Sequence, residues 1–154
     1  KTLAPRERYP LLFQTDKEIG STWYYRFCSS LMMSFGRIVH GFTVEGAEHI
    51  PKSDPALIIG VHSTHNLDFM LGLSFVARAQ GRVVRAMLHM TSSFAAFLTN
   101  RFGGAPGDRN LALELLKAGN LVGIIPGGLE ETYFHLTANG ADAYTPLWET
   151  KNGV

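Results

Sequence analysis

The sequence predicts an α/β fold, a mostly parallel sheet flanked by helices, and three observations predict it. Residues 56–61, 83–88 and 121–125 are short apolar runs, too brief for helices and without the alternation of a half-wet strand, so each reads as a strand buried on both faces. The segments between them repeat apolar residues at helical spacing. The turns that join them are short and marked by Gly, Asp or Asn, which makes parallel strands with crossover helices the economical solution.

Taken in order, residues 9–13 read as extended and interrupted by Pro10, and 14–21 as a polar stretch. From Trp23 the positions Tyr24, Phe27, Leu31, Phe35 and Ile38 recur every three or four residues, an amphipathic helix with Arg26 and Arg37 off the stripe. An aromatic stripe is more often core, so packing is expected of this face; lying on a bilayer surface is the alternative. Residues 42–44 read as a short strand before 56–61. A dense apolar pattern over 67–78 predicts a buried helix, followed by strand 83–88. Thr91, Ser92 and Ser93 offer N-caps for a helix presenting Phe94, Phe97 and Leu98 and closed by Gly103-Gly104. Asp108 caps a further helix to residue 118, Gly119-Asn120 stops it, and strand 121–125 follows. The expected organisation is an N-terminal extension, 1–21, and one domain, 22–154. Lys1 at the start and no closing element after Trp148 read as a fragment, C-terminally incomplete.

Composition narrows the function classes. With 45% hydrophobic and 18% charged residues, the chain is of ordinary globular type rather than disordered. Cys28 is the single cysteine, so no intramolecular disulfide can form, and its aromatic neighbourhood suggests a small buried hydrophobe. No run approaches the roughly 18 apolar residues of a membrane span, so membrane contact encoded in these residues would be peripheral. Residues 69–110 hold Arg78, Arg82, Arg85, Arg101 and Arg109 against Asp108 alone, a stretch that could face an anion or be a solvated face. Without basic blocks interleaved with aromatics, nucleic acid is not the expected partner.

Chemistry concentrates at two predicted strand exits, where open α/β sheets place ligands. His62-Ser63-Thr64-His65-Asn66-Leu67-Asp68 leaves the second strand with two imidazoles, two hydroxyls, an amide and a carboxylate, a mixture core packing does not select. An imidazole near its ordinary pKa takes a proton at neutral pH, and a carboxylate on its other nitrogen fixes the tautomer. His62 and Asp68 can form that dyad if a turn folds the helix start back; otherwise they cap the helix. A metal site on His62, His65 and Asp68 is the rival. Steps of three drift about 60° each around a helix, which separates the first and third ligands. Ser63 sits in no Gly-x-Ser-x-Gly elbow, and no Gly-Lys-Ser/Thr follows either Gly pair, which speaks against serine hydrolase and P-loop chemistry. Pro126-Gly127-Gly128-Leu129-Glu130-Glu131 lets backbone amides approach an anion, and Arg109, just inside a helix N-terminus, can reinforce such a site.

Together these blocks resemble the lysophospholipid acyltransferase superfamily, the glycerol-3-phosphate and lysophosphatidate acyltransferases, and within it the diacylglycerol and monoacylglycerol acyltransferase-like branch. His62 and Asp68 are separated by five residues, the longer spacing of the neutral-acceptor branch. Residues 101–110 resemble the family's Gly-to-Arg segment, and residues 125–131 its Pro-Gly-Gly-x-x-Glu signature with Glu131 at the glutamate position. Residues 44–51 resemble the lead-in to the catalytic strand. The chain departs from the pattern at Val61, where asparagine is common, and at Glu130, where a basic residue is.

The resemblance implies O-acyl transfer from acyl-CoA, a co-substrate, to a glycerolipid or related lipid alcohol, with no other cofactor and no metal. His62 is the implied general base and Asp68 its orienting partner. Arg109, Gly127, Gly128 and Glu131 are the implied substrate-binding residues. The implied setting is a membrane surface, on the cytoplasmic face, in glycerolipid or phospholipid synthesis. A non-catalytic lipid-binding domain of the same fold, and a metal-dependent hydrolase on His62, His65 and Asp68, are the alternatives.

Overall fold

The computed structural model describes residues 4–60, 67–88 and 101–125, with the backbone alone for Leu67 and Asp68. Four parallel strands form its sheet in the order β1-β4-β2-β3. The strands are β1 (Ala56–Ile59), β2 (Val84–Leu88), β3 (Ala105–Pro106) and β4 (Leu121–Ile124). β4 lies between β1 and β2, pairing Leu121 with both Ala56 and Val84. The predicted α/β class is therefore observed, with each of the three apolar runs forming a strand, but β1, at the edge of the described sheet, is not buried on both faces: Leu57 and Ile59 are 45% and 63% exposed.

Side-chain alternation along the strands separates two helical layers. On one face Ala56, Ile58, Val84 and Leu121 meet Leu73 and Val76 of α4 (Leu67–Gln80). On the other, Val122, Ile124, Met87 and Ala105 meet Leu111 and Leu115 of α5 (Arg109–Lys117) together with Tyr9, Leu12 and Phe13. Leu12 is fully buried there, so the N-terminal segment shares the core of the sheet.

That segment differs from its sequence reading. Residues expected to be extended form a short α1 (Pro5–Arg8) and a 3-10 turn, Pro10–Phe13; proline's fixed φ suits the first turn of a helix, where no amide hydrogen is needed. The polar stretch holds α2 (Asp16–Gly20), begun by a capping box. Glu18 N donates to Thr15 Oγ1 at 3.2 Å, and Thr15 N donates to Glu18 Oε2 at 2.7 Å.

Arg85 of β2 and Arg82, two residues before the strand, fix this segment in place. Arg85, wholly buried, donates to the carbonyls of Leu12 (2.9 Å), Gln14 (2.6 Å) and Val83 (2.8 Å) and to Asp16 Oδ1 (3.1 Å). Arg82 donates to Asp16 Oδ2 (3.2 Å) and to the carbonyls of Pro51, Asp54 and Gly119. Burial pushes the Arg85 guanidinium below its ordinary pKa, and the charge and hydrogen bond of Asp16 oppose that shift.

Helix α3 (Trp23–His40) forms where the period predicted it, but its aromatic stripe does not pack inside. Phe27 is 60% exposed, Leu31 57% and Ile38 83%, whereas the buried positions are Tyr25, Ser29, Met33 and Gly36. The physical reason is close approach. A β-carbon at Gly36 would stand 2.6 Å from Leu71 Cδ2, so the small-residue face is the one that fits against α4. Tyr24 alone of the stripe turns inward, edge-on to Phe102 at 5.7 Å. Cys28, expected to be buried, is half-buried.

The strand expected at residues 42–44 is not formed. Gly41 ends α3 at φ 60° and Gly46 turns at φ 74°, so residues 42–44 link two left-handed positions, and among the described residues no strand pairs with them. The two-residue β3, too short for any periodic signal, exists through its pairing with Met87 and Leu88.

Candidate functional site

All four described strands run the same way, so their carboxyl ends share one edge. Gly60 N donates to Ile124 O at 2.9 Å, so the exits of β1 and β4 are hydrogen-bonded neighbours. Gly60 and Ile125 stand two residues before His62 and Gly127 respectively. His62, Gly127, Gly128 and Glu131 themselves lie outside the described residues, as do Ser63, Thr64, His65 and the helix expected after Thr91.

Asp68 is the second residue of α4, in the turn that begins at this edge. What holds that turn down is Phe69. A β-carbon on Gly60 would lie 3.1 Å from Phe69 Cδ2, and one on Gly123 would lie 3.2 Å from Phe69 Cζ. The ring thus lies across β1 and β4 in space that two glycines leave open. The sequence does not single out either glycine: Gly60 stands just past β1 and Gly123 inside β4, each a lone Gly in an apolar run.

Arg109 is the first residue of α5, and Asp108 is its N-cap as predicted, accepting from Leu111 N at 2.9 Å. Gly107 N donates to Leu88 O at 3.0 Å and binds this helix start to the exit of β2. Arg109 is exposed and has no ion-pair partner among the described residues. Its helix follows β3, the strand farthest from β1 in the described sheet.

The five-arginine stretch does not act as one anion-facing patch. Arg82 and Arg85 are buried against Asp16 and backbone carbonyls, and the Arg101 guanidinium lies over the Tyr24 ring at 5.7 Å. Among the described residues no three His, Cys, Asp or Glu side chains gather in a metal-binding group, and no helix is long and apolar enough to cross a membrane. Two cavities lie along the seam of α3 and α4.

The family model described as Acyltransferase matches residues 41–153, most of the chain. The chain belongs to the acyltransferase family. Four parallel strands with flanking helices form the described part of the match. A Bos taurus relative named "DGAT1/2-independent enzyme synthesizing storage lipids" is 31% identical over 117 residues, which cover 74% of this chain and 34% of the relative. The Homo sapiens protein of that name is 31% identical over 117 residues, covering 74% and 35%. The Gallus gallus protein is 29% identical over 143 residues, covering 87% and 40%. The acyltransferase chain thus spans about a third of the length of the first two. No solved structure matches it.

Proposed function

We propose that this acyltransferase chain carries the catalytic residues of an O-acyltransferase that moves a fatty acyl group from acyl-CoA to the hydroxyl of a glycerolipid or related lipid alcohol. The observation that carries the reading is the clamped edge: β1 and β4 exit side by side, and Phe69 holds the first turn of α4 across both. A turn fixed in this way brings the backbone of Asp68 back toward the strand that leads into His62.

In this reading His62 accepts the proton of the acceptor hydroxyl while Asp68 orients the ring and steadies the imidazolium. The hydroxyl oxygen attacks the thioester carbonyl and forms the new C–O bond. Amides of Gly127 and Gly128 receive the charge that develops on the carbonyl oxygen. Collapse breaks the C–S bond, and the thiolate of coenzyme A leaves with the proton returned from His62. Arg109 holds a phosphate of the donor or acceptor, and Glu131 fixes the turn that follows Gly128. No metal takes part. The acceptor being a lipid, we place the reaction at a membrane surface, on its cytoplasmic face. The names of the relatives favour a neutral storage-lipid acceptor, and with it the branch that separates histidine and aspartate by five residues.

The test is transfer of labelled acyl groups by the intact protein. His62→Ala is expected to lower kcat by about 10²–10⁴, the contribution of general-base catalysis, with little change in KM. Turnover near wild type in a folded His62→Ala protein would remove the mechanism. Loss of transfer on metal removal, with metal bound stoichiometrically, would move the assignment to the hydrolase-type site.

A further inference from the structure

The outward face of α3 has no covering element among the described residues and combines two kinds of group. Trp23 (78% exposed), Phe27, Leu31 and Ile38 form an apolar row along an 18-residue helix, roughly 27 Å at 1.5 Å per residue. Arg26 and Arg37, eleven positions apart, lie along one edge of that row, between it and the seam with α4. Arg78 of α4 joins them across the seam, its Nη1 donating to Ser30 Oγ at 2.8 Å.

The seam is open. One cavity of about 330 Å³ is lined by Lys17, Ser21, Arg26, Ser29 and Arg78, and a second of about 300 Å³ by Ser30, Ser34, Arg37 and Arg78. Cations and hydroxyls line both cavities beside apolar residues, Asp16 is the one acid in either lining, and the nearby acids are engaged. Asp16 is held by Arg82 and Arg85, and Glu18 by Thr15. α3 contains no acidic residue, and α4 contains Asp68 alone, at the opposite end from Arg78.

We propose that this face docks flat on a lipid bilayer that carries anionic headgroups, with the apolar row entering the headgroup–acyl boundary and Arg26, Arg37 and Arg78 contacting headgroup phosphates. Charge complementarity selects this occupant. A second copy would set arginine rows against each other, whereas an anionic surface meets the apolar row and its basic border together. The orientation also serves the proposed reaction, on which this inference rests for the place of the acceptor. α3 and α4 run antiparallel, with Ser30 against Arg78 at one end and Gly36 against Leu71 at the other, so the exposed Ile38 and Val39 lie toward the carboxyl edge, where a lipid acceptor must arrive.

The experiment uses the intact protein reconstituted into phosphatidylcholine liposomes with or without phosphatidylserine. With the native Cys28 replaced by Ser, it carries an environment-sensitive fluorophore on a single engineered cysteine, Leu31→Cys or Ile38→Cys, with Leu113→Cys on α5 as an exposed control. Brominated lipid is expected to quench the first two probes and not the third. With phosphatidylserine present, Arg26→Gln/Arg37→Gln is expected to reduce bilayer engagement on the order of tenfold, and without it to have little effect. Unquenched probes at 31 and 38, quenching indifferent to both arginines and phosphatidylserine, or 31-to-31 crosslinking between copies in place of quenching would each overturn the proposal. Acyl transfer to a detergent-dispersed acceptor, measured on the same Arg26→Gln/Arg37→Gln protein, is expected to be unchanged. Absent transfer in wild type with normal quenching would sink the enzymatic reading and leave the docking face standing.

Discussion

Replacing Asp16 by Asn removes one charge from the most connected buried cluster of the fold. The Asp16 side chain is 21% exposed, and it is the carboxylate between two guanidinium groups whose own side chains are 7% and 0% exposed. Without it, Arg85 remains sealed among three backbone carbonyls and close to a second buried cation. Breaking a buried pair by removing one partner costs about 3–5 kcal/mol. The residual exposure of Asp16 and the carbonyls that still solvate both arginines favour the lower end, about 3 kcal/mol. Set against a typical domain stability of about 5–15 kcal/mol, that is a large fraction. In urea, with a slope of about 1–3 kcal/mol/M, the midpoint should fall by roughly 1–3 M. The shift should persist in high salt, since buried pairs are poorly screened. A midpoint change below about 0.3 M, or one abolished by salt, would show that water reaches the cluster and that Arg85 does not depend on Asp16.

Two further outcomes follow from the packing. Gly60→Val is expected to cost about 1–3 kcal/mol through overpacking against Phe69 and to lower acyl transfer, with Phe69→Leu in the same chain restoring part of both; unchanged melting and turnover would show that Phe69 does not fix the first turn of α4. Burial pushes the Tyr25 hydroxyl up to about 12, with Arg85 opposing and Asp16 adding to the shift. The folded chain therefore holds this proton more tightly than the unfolded one. The associated stability, on the order of 2–3 kcal/mol, is full below about pH 10 and lost as pH rises toward 12. Tyr25→Phe should flatten the alkaline limb of a stability-versus-pH curve, and an unaltered limb would contradict the assignment.

The elements most legible in the sequence were those whose signal is local. Asp108 as N-cap and the stop at Gly119-Asn120 fixed α5 to within a residue, because capping is decided by neighbouring side chains and backbone amides. Thr15 and Glu18 carried an equally local capping-box signal that the polar reading of residues 14–21 passed over. What depends on distant partners was not legible. Periodicity divided α3 into two faces but could not say which would meet α4; Gly36 and Leu71 decide that, thirty-five positions apart. Residues 42–44 look like a strand in sequence and have none to pair with among the described residues. Arg82 and Arg85 counted toward a basic stretch, yet Arg85 interrupts a continuous apolar strand, and a charge in such a run has to find a buried partner.

The same distinction separates the candidate site residues, which the sequence singles out, from the residues around them, which it does not. Side chains such as His62 and Asp68 announce chemistry because a core has no use for them. The residues that would bring them together announce nothing, since Gly60, Gly123 and Phe69 are ordinary in an apolar strand or helix. The geometry nevertheless gives them a joint task. Phe69 needs both glycines at once, one on β1 and one on β4, so the first turn of α4 can seat only where these two strands are already paired. The pairing of β1 with β4 is thus a precondition for bringing Asp68 to the strand exit. Any change that separates those strands should reduce acyl transfer before it unfolds the opposite layer of Leu12, Leu111 and Leu115, which packs against the sheet from the other side.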